Sequence, residues 1–253
     1  MDLHYPQKSN GLYILSRNQI DDIATMALRE YMPVVLEYPQ PVDIEEIVEE
    51  RLFLTIQSRT LSLSDSILGM TVFEDTPAVP CLDERLCPTQ IDLPAGTVLI
   101  HTSLFERENV KRRRYTLAHE GAHWMLHRSY YSPTHKKFQF RVIRGTFIAC
   151  RAAAIENQTW RRLETDEDWM EWQANRLAAS LLMPRNPFCW LARRILSDSG
   201  RRYLPEGKVT SDYIRMVDEL SNLFMVSKAA TEIRLKQFGF VRMESDYPFA
   251  FKQ

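Results

Sequence analysis

Residues 115–127 read YTLAHEGAHWMLH, and within them His119-Glu120-Gly121-Ala122-His123 forms the pattern H-E-x-x-H. Side chains four apart on a helix stand one above the other, so His119 and His123 can grip one divalent ion from a single face. Glu120 follows the first of them, where its carboxylate can take a proton from a water held by that ion. The stretch has no Pro, and Tyr115, Leu117, Ala118, Ala122, Trp124, Met125 and Leu126 surround the histidines with apolar bulk. A helix apolar nearly all round is a buried one, and a buried histidine pair needs hydrogen-bond partners or a metal. The pentamer also fits a structural helix with two satisfied histidines. A third ligand decides between the two.

A catalytic zinc takes three protein ligands and keeps one position open for water. Residues 169–183 read WMEWQANRLAASLLM, in which Met170, Ala174, Leu177, Ala178 and Leu181 recur at helical spacing. Glu171 and Asn175 lie four apart at the edge of that stripe. A carboxylate drawn into the core there costs several kcal/mol (about that order) unless it is paired or bound to metal. Asn175, one turn on, is placed to hold a ligand imidazole by its second nitrogen. An exposed carboxylate near a helix N-terminus is the alternative for Glu171; the company of H-E-x-x-H favours the ligand.

These two motifs together, H-E-x-x-H and then E-x-x-A-N-R-x-A-A-x-L-L-M-P at residues 171–184, resemble the ImmA/IrrE family of zinc metallopeptidases. The segments ILGMT at 67–71, LPAGT at 93–97, VSKAA at 226–230 and LKQFG at 235–239 agree with it, so the resemblance runs over residues 16–242. It implies His119, His123 and Glu171 as ligands of Zn2+, Glu120 as general base, and a zincin-like metallopeptidase core. It also implies a substrate: a partner protein of the Xre type of transcriptional repressor, cut so that repressed genes are switched on. The competing class is a non-catalytic DNA- or repressor-binding regulator, or a toxin–antitoxin component, whose metal site is structural.

Composition sets the frame. The chain has 253 residues, 45% hydrophobic and 26% charged, as an ordinary globular protein does. A net charge of -1 argues against a bulk nucleic-acid binder. Charge is uneven, however: residues 185–253 carry 12 Lys+Arg against 8 Asp+Glu, while residues 1–184 carry 20 against 25. Cys81, Cys87, Cys150 and Cys189 lack metal-site spacing and read as free thiols of a reducing compartment. With no signal-peptide pattern at the start and no apolar run near the roughly 20 residues that cross a bilayer, the expected location is cytoplasmic.

Along the chain, the expected class is α+β, with a small, mostly antiparallel sheet packed on the metal helix. Residues 1–199 form the metallopeptidase domain in this reading, and residues 200–253 a C-terminal helical segment resembling a helix-turn-helix. Ser16 and Gln19 predict a capping box before a helix with Ile20, Ile23, Ala24, Ala27 and Leu28 inward and Pro33 at its end. Asp43 and Glu46 predict a second, short one. Strands are expected at 52–57, 67–74 and 97–101, with a turn at 92–96. The run Lys111-Arg112-Arg113-Arg114 reads either as a solvated first turn or as a collector of acidic substrate. Residues 138–143 alternate as a strand would and can turn back at Gly145 through Phe147 and Ile148; an edge strand there either binds an extended peptide or merely covers the site.

Pro187 opens a helix that Gly200 stops, and helices at 211–224 and 227–238 flank a tight turn. Their first reading is a hairpin packed on the body; Lys228, Arg234 and Lys236 in a DNA groove is the other. Peptide hydrolysis at such a centre also wants a second donor to the developing oxyanion. His127, two turns beyond His119, comes first, ahead of Tyr130, Tyr131, His135 and Arg176, although a histidine is also favoured at a helix end by the dipole.

Overall fold

The computed structural model describes residues 3–131, 147–151 and 163–242. Helix α1 (Arg17–Tyr31) begins as its capping box requires: Ser16 Oγ accepts from the Gln19 backbone, and the Gln19 side chain accepts from the Ser16 backbone. Its face of Ile20, Ile23, Ala24, Ala27 and Leu28 is buried. After α2 (Val34–Glu37) comes the short α3 (Ile44–Glu46), capped by the Asp43 carboxylate on the Glu46 backbone N–H, and it runs on as a π turn through Ile47–Arg51. The cap of that turn, Leu52, and Phe53 in the left-handed region at φ 55° occupy the start of the strand expected at 52–57. The strand begins three residues later.

Four strands form the main sheet in the order β1-β5-β2-β6: β1 (Thr55–Arg59), β2 (Ile67–Val72), β5 (Thr97–His101) and β6 (Phe147–Arg151). β2 runs antiparallel to both neighbours, and β1 lies parallel to β5. Between β2 and β5, ahead of the turn expected at 92–96, the chain makes a ribbon of β3 (Thr76–Leu82) and β4 (Pro88–Leu93) for which the sequence reading has no strands. Pro77, Pro80 and Pro88 hide this ribbon from a strand reading, because proline cannot serve a central strand. An isolated ribbon tolerates it. Val79 and Leu93 of the ribbon pack on Met70, Val72 and Leu99, covering one face of the sheet.

Helix α4 (Val110–His127) covers the other face and packs along α5 (Asp166–Leu182), which in turn packs on α1. α4 is buried from Tyr115 to His123, as an all-round apolar helix must be. Its basic start is half-buried and engaged with other parts of the chain. Lys111 donates to Asn222, Arg113 pairs with Glu45 at 2.9 Å over the Phe105 ring, and Arg114 donates to the carbonyls of Val42 and Met225.

The chain continues through α6 (Arg185–Asp198), then α7 (Ser211–Leu223) and α8 (Lys228–Gln237) about a turn in which Met225 takes φ 54°. Two short strands, β7 (Leu204–Pro205) and β8 (Val241–Arg242), pair in parallel beside them. One hydrophobic cluster runs through all of these helices, from Ile23 and Leu117 to Leu177, Phe188, Leu220 and Leu235. Buried charge joins them too. Asp21 of α1 holds Arg176 of α5 and Arg234 of α8, each at 2.8 Å, and Arg234 also donates to the Met183 carbonyl. Arg234 is 1% exposed and so is not presented to a nucleic acid, while Lys228 and Lys236 pair with Asp218 and Glu206. No helix among the described residues is long and apolar enough to cross a membrane.

Candidate metal centre

The pitch of α4 brings the two imidazoles of H-E-x-x-H together, with His119 Nε2 and His123 Nε2 2.9 Å apart. α5 supplies the third group. Glu171 Oε2 lies 3.5 Å from His119 Nε2, and Glu171 Oε1 lies 3.4 Å from His123 Nε2. Ligand atoms held about 2.1 Å from one tetrahedral ion stand roughly 3.4 Å apart, so these three groups can hold a metal ion. Both imidazoles are fully buried, whereas the Glu171 side chain is 30% exposed. Glu171 Oε2 is buried without a hydrogen-bond partner among the described residues, as expected of an atom reserved for a cation.

Glu120 points at β2. Thr71 Oγ1 donates to Glu120 Oε2 at 2.6 Å. The other oxygen, Oε1, occupies a slot that exists only because residue 69 is glycine: a Cβ there would stand 2.5 Å from it and 2.7 Å from Thr116 Cγ2. Oε1 has no hydrogen-bond partner among the described residues. Burial pushes the Glu120 carboxyl up to about 7, against the lowering effects of His119 and Thr71 and with a further push from Glu171. A carboxyl poised there is suited to receiving and returning a proton near neutral pH.

Burial lowers His123 and takes His127 well below its ordinary value; their imidazole neighbours add to this, while Glu171 and, for His127, Gln173 oppose it. Burial alone would raise Glu171, but its contacts with His119 and His123 overcome that and hold it well below the usual carboxylate range.

Two residues singled out from sequence take other places. His127 lies behind His123, away from the shared metal-facing nitrogens, with Nδ1 2.9 Å from His123 Nδ1 and Nε2 3.1 Å from Gln173 Oε1. With both ring nitrogens engaged it has no donor to offer an oxyanion. Asn175 does not hold a ligand imidazole either: its Oδ1 accepts from Tyr115 OH at 3.2 Å, tying α5 to α4. Among the other oxyanion candidates, Arg176 is committed to Asp21. Tyr131 stacks on Phe73 with ring centroids 4.4 Å apart, and burial raises its hydroxyl, with Tyr130, Glu167 and Glu171 adding to the rise. Tyr130 meets Tyr131 edge to face. His135 and the strand expected at 138–143 lie outside the described residues.

Sequence reasoning passed over Gln173, Gly69 and Thr71. Gln173 left a signal, since it falls three residues after Met170 and four before Leu177, a polar side chain within an apolar stripe. Gly69 left another, a glycine inside a strand, which marks close approach. Thr71 left none.

The fold and site define an α+β chain with a two-histidine, one-carboxylate centre beside a buried acid. No family model matches the chain, and no curated protein does either.

Proposed function

We propose that the protein is a zinc-dependent endopeptidase with a zincin-like core. The observation that carries this is the convergence of His119, His123 and Glu171 from two helices, with the carboxyl of Glu120, from the same turn of α4, buried against β2. His119, His123 and Glu171 would hold the ion. A zinc bound by three protein groups acidifies a coordinated water to a pKa of about 7 and polarises a carbonyl.

This chain's residues do the rest. Glu120, adjacent to His119, accepts the proton from the attacking water and returns it to the leaving peptide nitrogen. Thr71 holds Glu120 Oε2 and so fixes the orientation of the carboxyl. The substrate in this reading is a partner protein, a repressor of the Xre helix-turn-helix type, whose cleavage would release the genes it controls.

The test is Glu120→Gln in the full chain, incubated with such a repressor and assayed for zinc. The variant is expected to bind zinc like wild type and cut nothing. Cleavage at the wild-type rate would remove Glu120 as the base, and a wild-type protein that binds no zinc would remove the proposal.

A further inference from the structure

Behind the metal-facing side of His123 runs a line of four groups whose hydrogen bonds have only one consistent polarity. It starts at a backbone carbonyl. Gln173 Nε2 lies 2.8 Å from the Tyr13 oxygen, and a carbonyl can only accept, so the amide nitrogen of Gln173 faces it and donates. Gln173 therefore presents its oxygen, Oε1, to His127 Nε2 at 3.1 Å. That nitrogen must carry the proton. A neutral imidazole has one N–H, so His127 Nδ1 is left as an acceptor facing His123 Nδ1 at 2.9 Å. His123 Nδ1 must then donate, and its Nε2 keeps a lone pair.

We infer that Gln173 and His127 form a relay that sets the tautomer of His123, fixing its Nε2 lone pair toward His119 and Glu171, and that the Tyr13 carbonyl orients the whole line. Gln173 and His127 are positioning residues. The consequence appears at the other end. A lone pair on His123 Nε2 faces His119 Nε2 at 2.9 Å and Glu171 Oε1 at 3.4 Å, where it can accept a hydrogen bond from His119 or bind a cation held by all three groups. Ligand histidines ordinarily fix their tautomer by donating to a carboxylate or backbone carbonyl; here a second histidine stands in that place and passes the polarity on from an amide.

The relay ties the segment before α1 to the centre, and other bonds support the tie. Lys8 and Asn10 both donate to Asp166 at the start of α5, at 2.6 Å each, and Ser129 Oγ donates to the Gly11 carbonyl just past the end of α4. Residues 8–13 thus bridge the two helices that carry the metal-facing groups, with Leu12 buried beneath them.

The zinc-affinity part of this inference rests on the proposed function; the tautomer part does not. The experiment uses the full chain, zinc-free, with 15N-labelled histidine. Long-range 1H–15N correlation separates an Nδ1–H ring from an Nε2–H ring, and Zn2+ alone is then titrated in competition with a chromophoric chelator. Wild type is expected to show His123 as the Nδ1–H tautomer and His127 as the Nε2–H tautomer. Gln173→Leu is expected to mix both signatures and weaken Zn2+ binding roughly 10- to 100-fold, the usual cost of losing a partner that orients a ligand. His127→Phe, which removes the acceptor for His123 Nδ1–H and leaves Gln173 in place, is expected to mix the His123 signature in the same way, and it serves if the leucine variant fails to fold.

A wild-type His123 with its proton on Nε2 would overturn the relay, as would a Gln173→Leu protein with unchanged tautomers. Wild type with the expected tautomers but no affinity for Zn2+ would support the relay and overturn the zinc reading.

Discussion

The Thr71 hydroxyl holds Glu120 twice, donating to Oε2 at 2.6 Å and standing 3.2 Å from the same residue's backbone carbonyl. A strand of the sheet therefore fixes both the side chain of the proposed base and the turn of α4 that carries it. Thr71→Val keeps the shape and removes the donor. A hydrogen bond to a charged group contributes about 1.5–3 kcal/mol, so hydrolysis should fall roughly 10- to 100-fold with zinc content unchanged. Thr71→Ser should recover most of it. Metal analysis alongside cleavage rates reads both.

Gly69 makes the sharper case, because the added atom has nowhere to go. With a Cβ 2.5 Å from Glu120 Oε1 and 2.7 Å from Thr116 Cγ2, Gly69→Ala must displace the carboxylate or the helix. Cleavage is expected to drop below that of Thr71→Val. Stability should drop as well, since overpacking a close-packed interior costs about 1–3 kcal/mol. Parallel urea unfolding and cleavage assays check this, and a Gly69→Ala protein with wild-type rate would show that the slot is not needed.

Removing the third ligand separates a metal centre from a plain hydrogen-bonded cluster. A ligand that binds only the folded state stabilises it by RT ln(1 + [L]/Kd), about 4 kcal/mol at a thousandfold excess over Kd. Added zinc should therefore raise the melting temperature of wild type, and a chelator should reverse the gain. In Glu171→Ala the zinc-dependent increment should vanish. If that variant still gains stability from zinc, Glu171 is not a ligand.

How much of this could be read from residue order depends on the distance over which each arrangement is decided. His119, Glu120 and His123 are set by the pitch of one helix, so spacing of four residues was enough. Glu171 came from its place beside an apolar stripe. The role of His127 could not be read that way, because Gln173 and the Tyr13 carbonyl that determine its polarity come from two other parts of the chain. The same holds for Lys111-Arg112-Arg113-Arg114, whose visible partners Asn222, Glu45, Val42 and Met225 are brought up only by the fold. The ribbon of β3 and β4 escaped for a local reason. Its prolines argue against a strand unless one already knows that the ribbon pairs only with itself.

The buried ion pair that closes α8 onto the body gives stability a pH dependence of definite sign. Burial would raise the Asp21 carboxyl, but Arg234, the Ser180 hydroxyl and Arg176 outweigh it and leave the group below its ordinary value. Burial in turn pushes Arg234 down to about 10 despite Asp21, so both partners remain charged at neutral pH. A carboxyl depressed by folding binds its proton more readily in the unfolded chain. Its contribution is therefore complete above the unfolded value of about 3.9 and is lost as the pH falls through the lower native one. Asp21→Asn leaves two buried guanidinium groups without their counter-charge, which typically costs about 3–5 kcal/mol. The difference in unfolding free energy between wild type and Asp21→Asn should thus stay constant from about pH 7 to about pH 5 and shrink on further acidification. Urea unfolding of both proteins across that range measures it, and a gap that widens toward acid would mean that Asp21 is not the charged centre of the cluster.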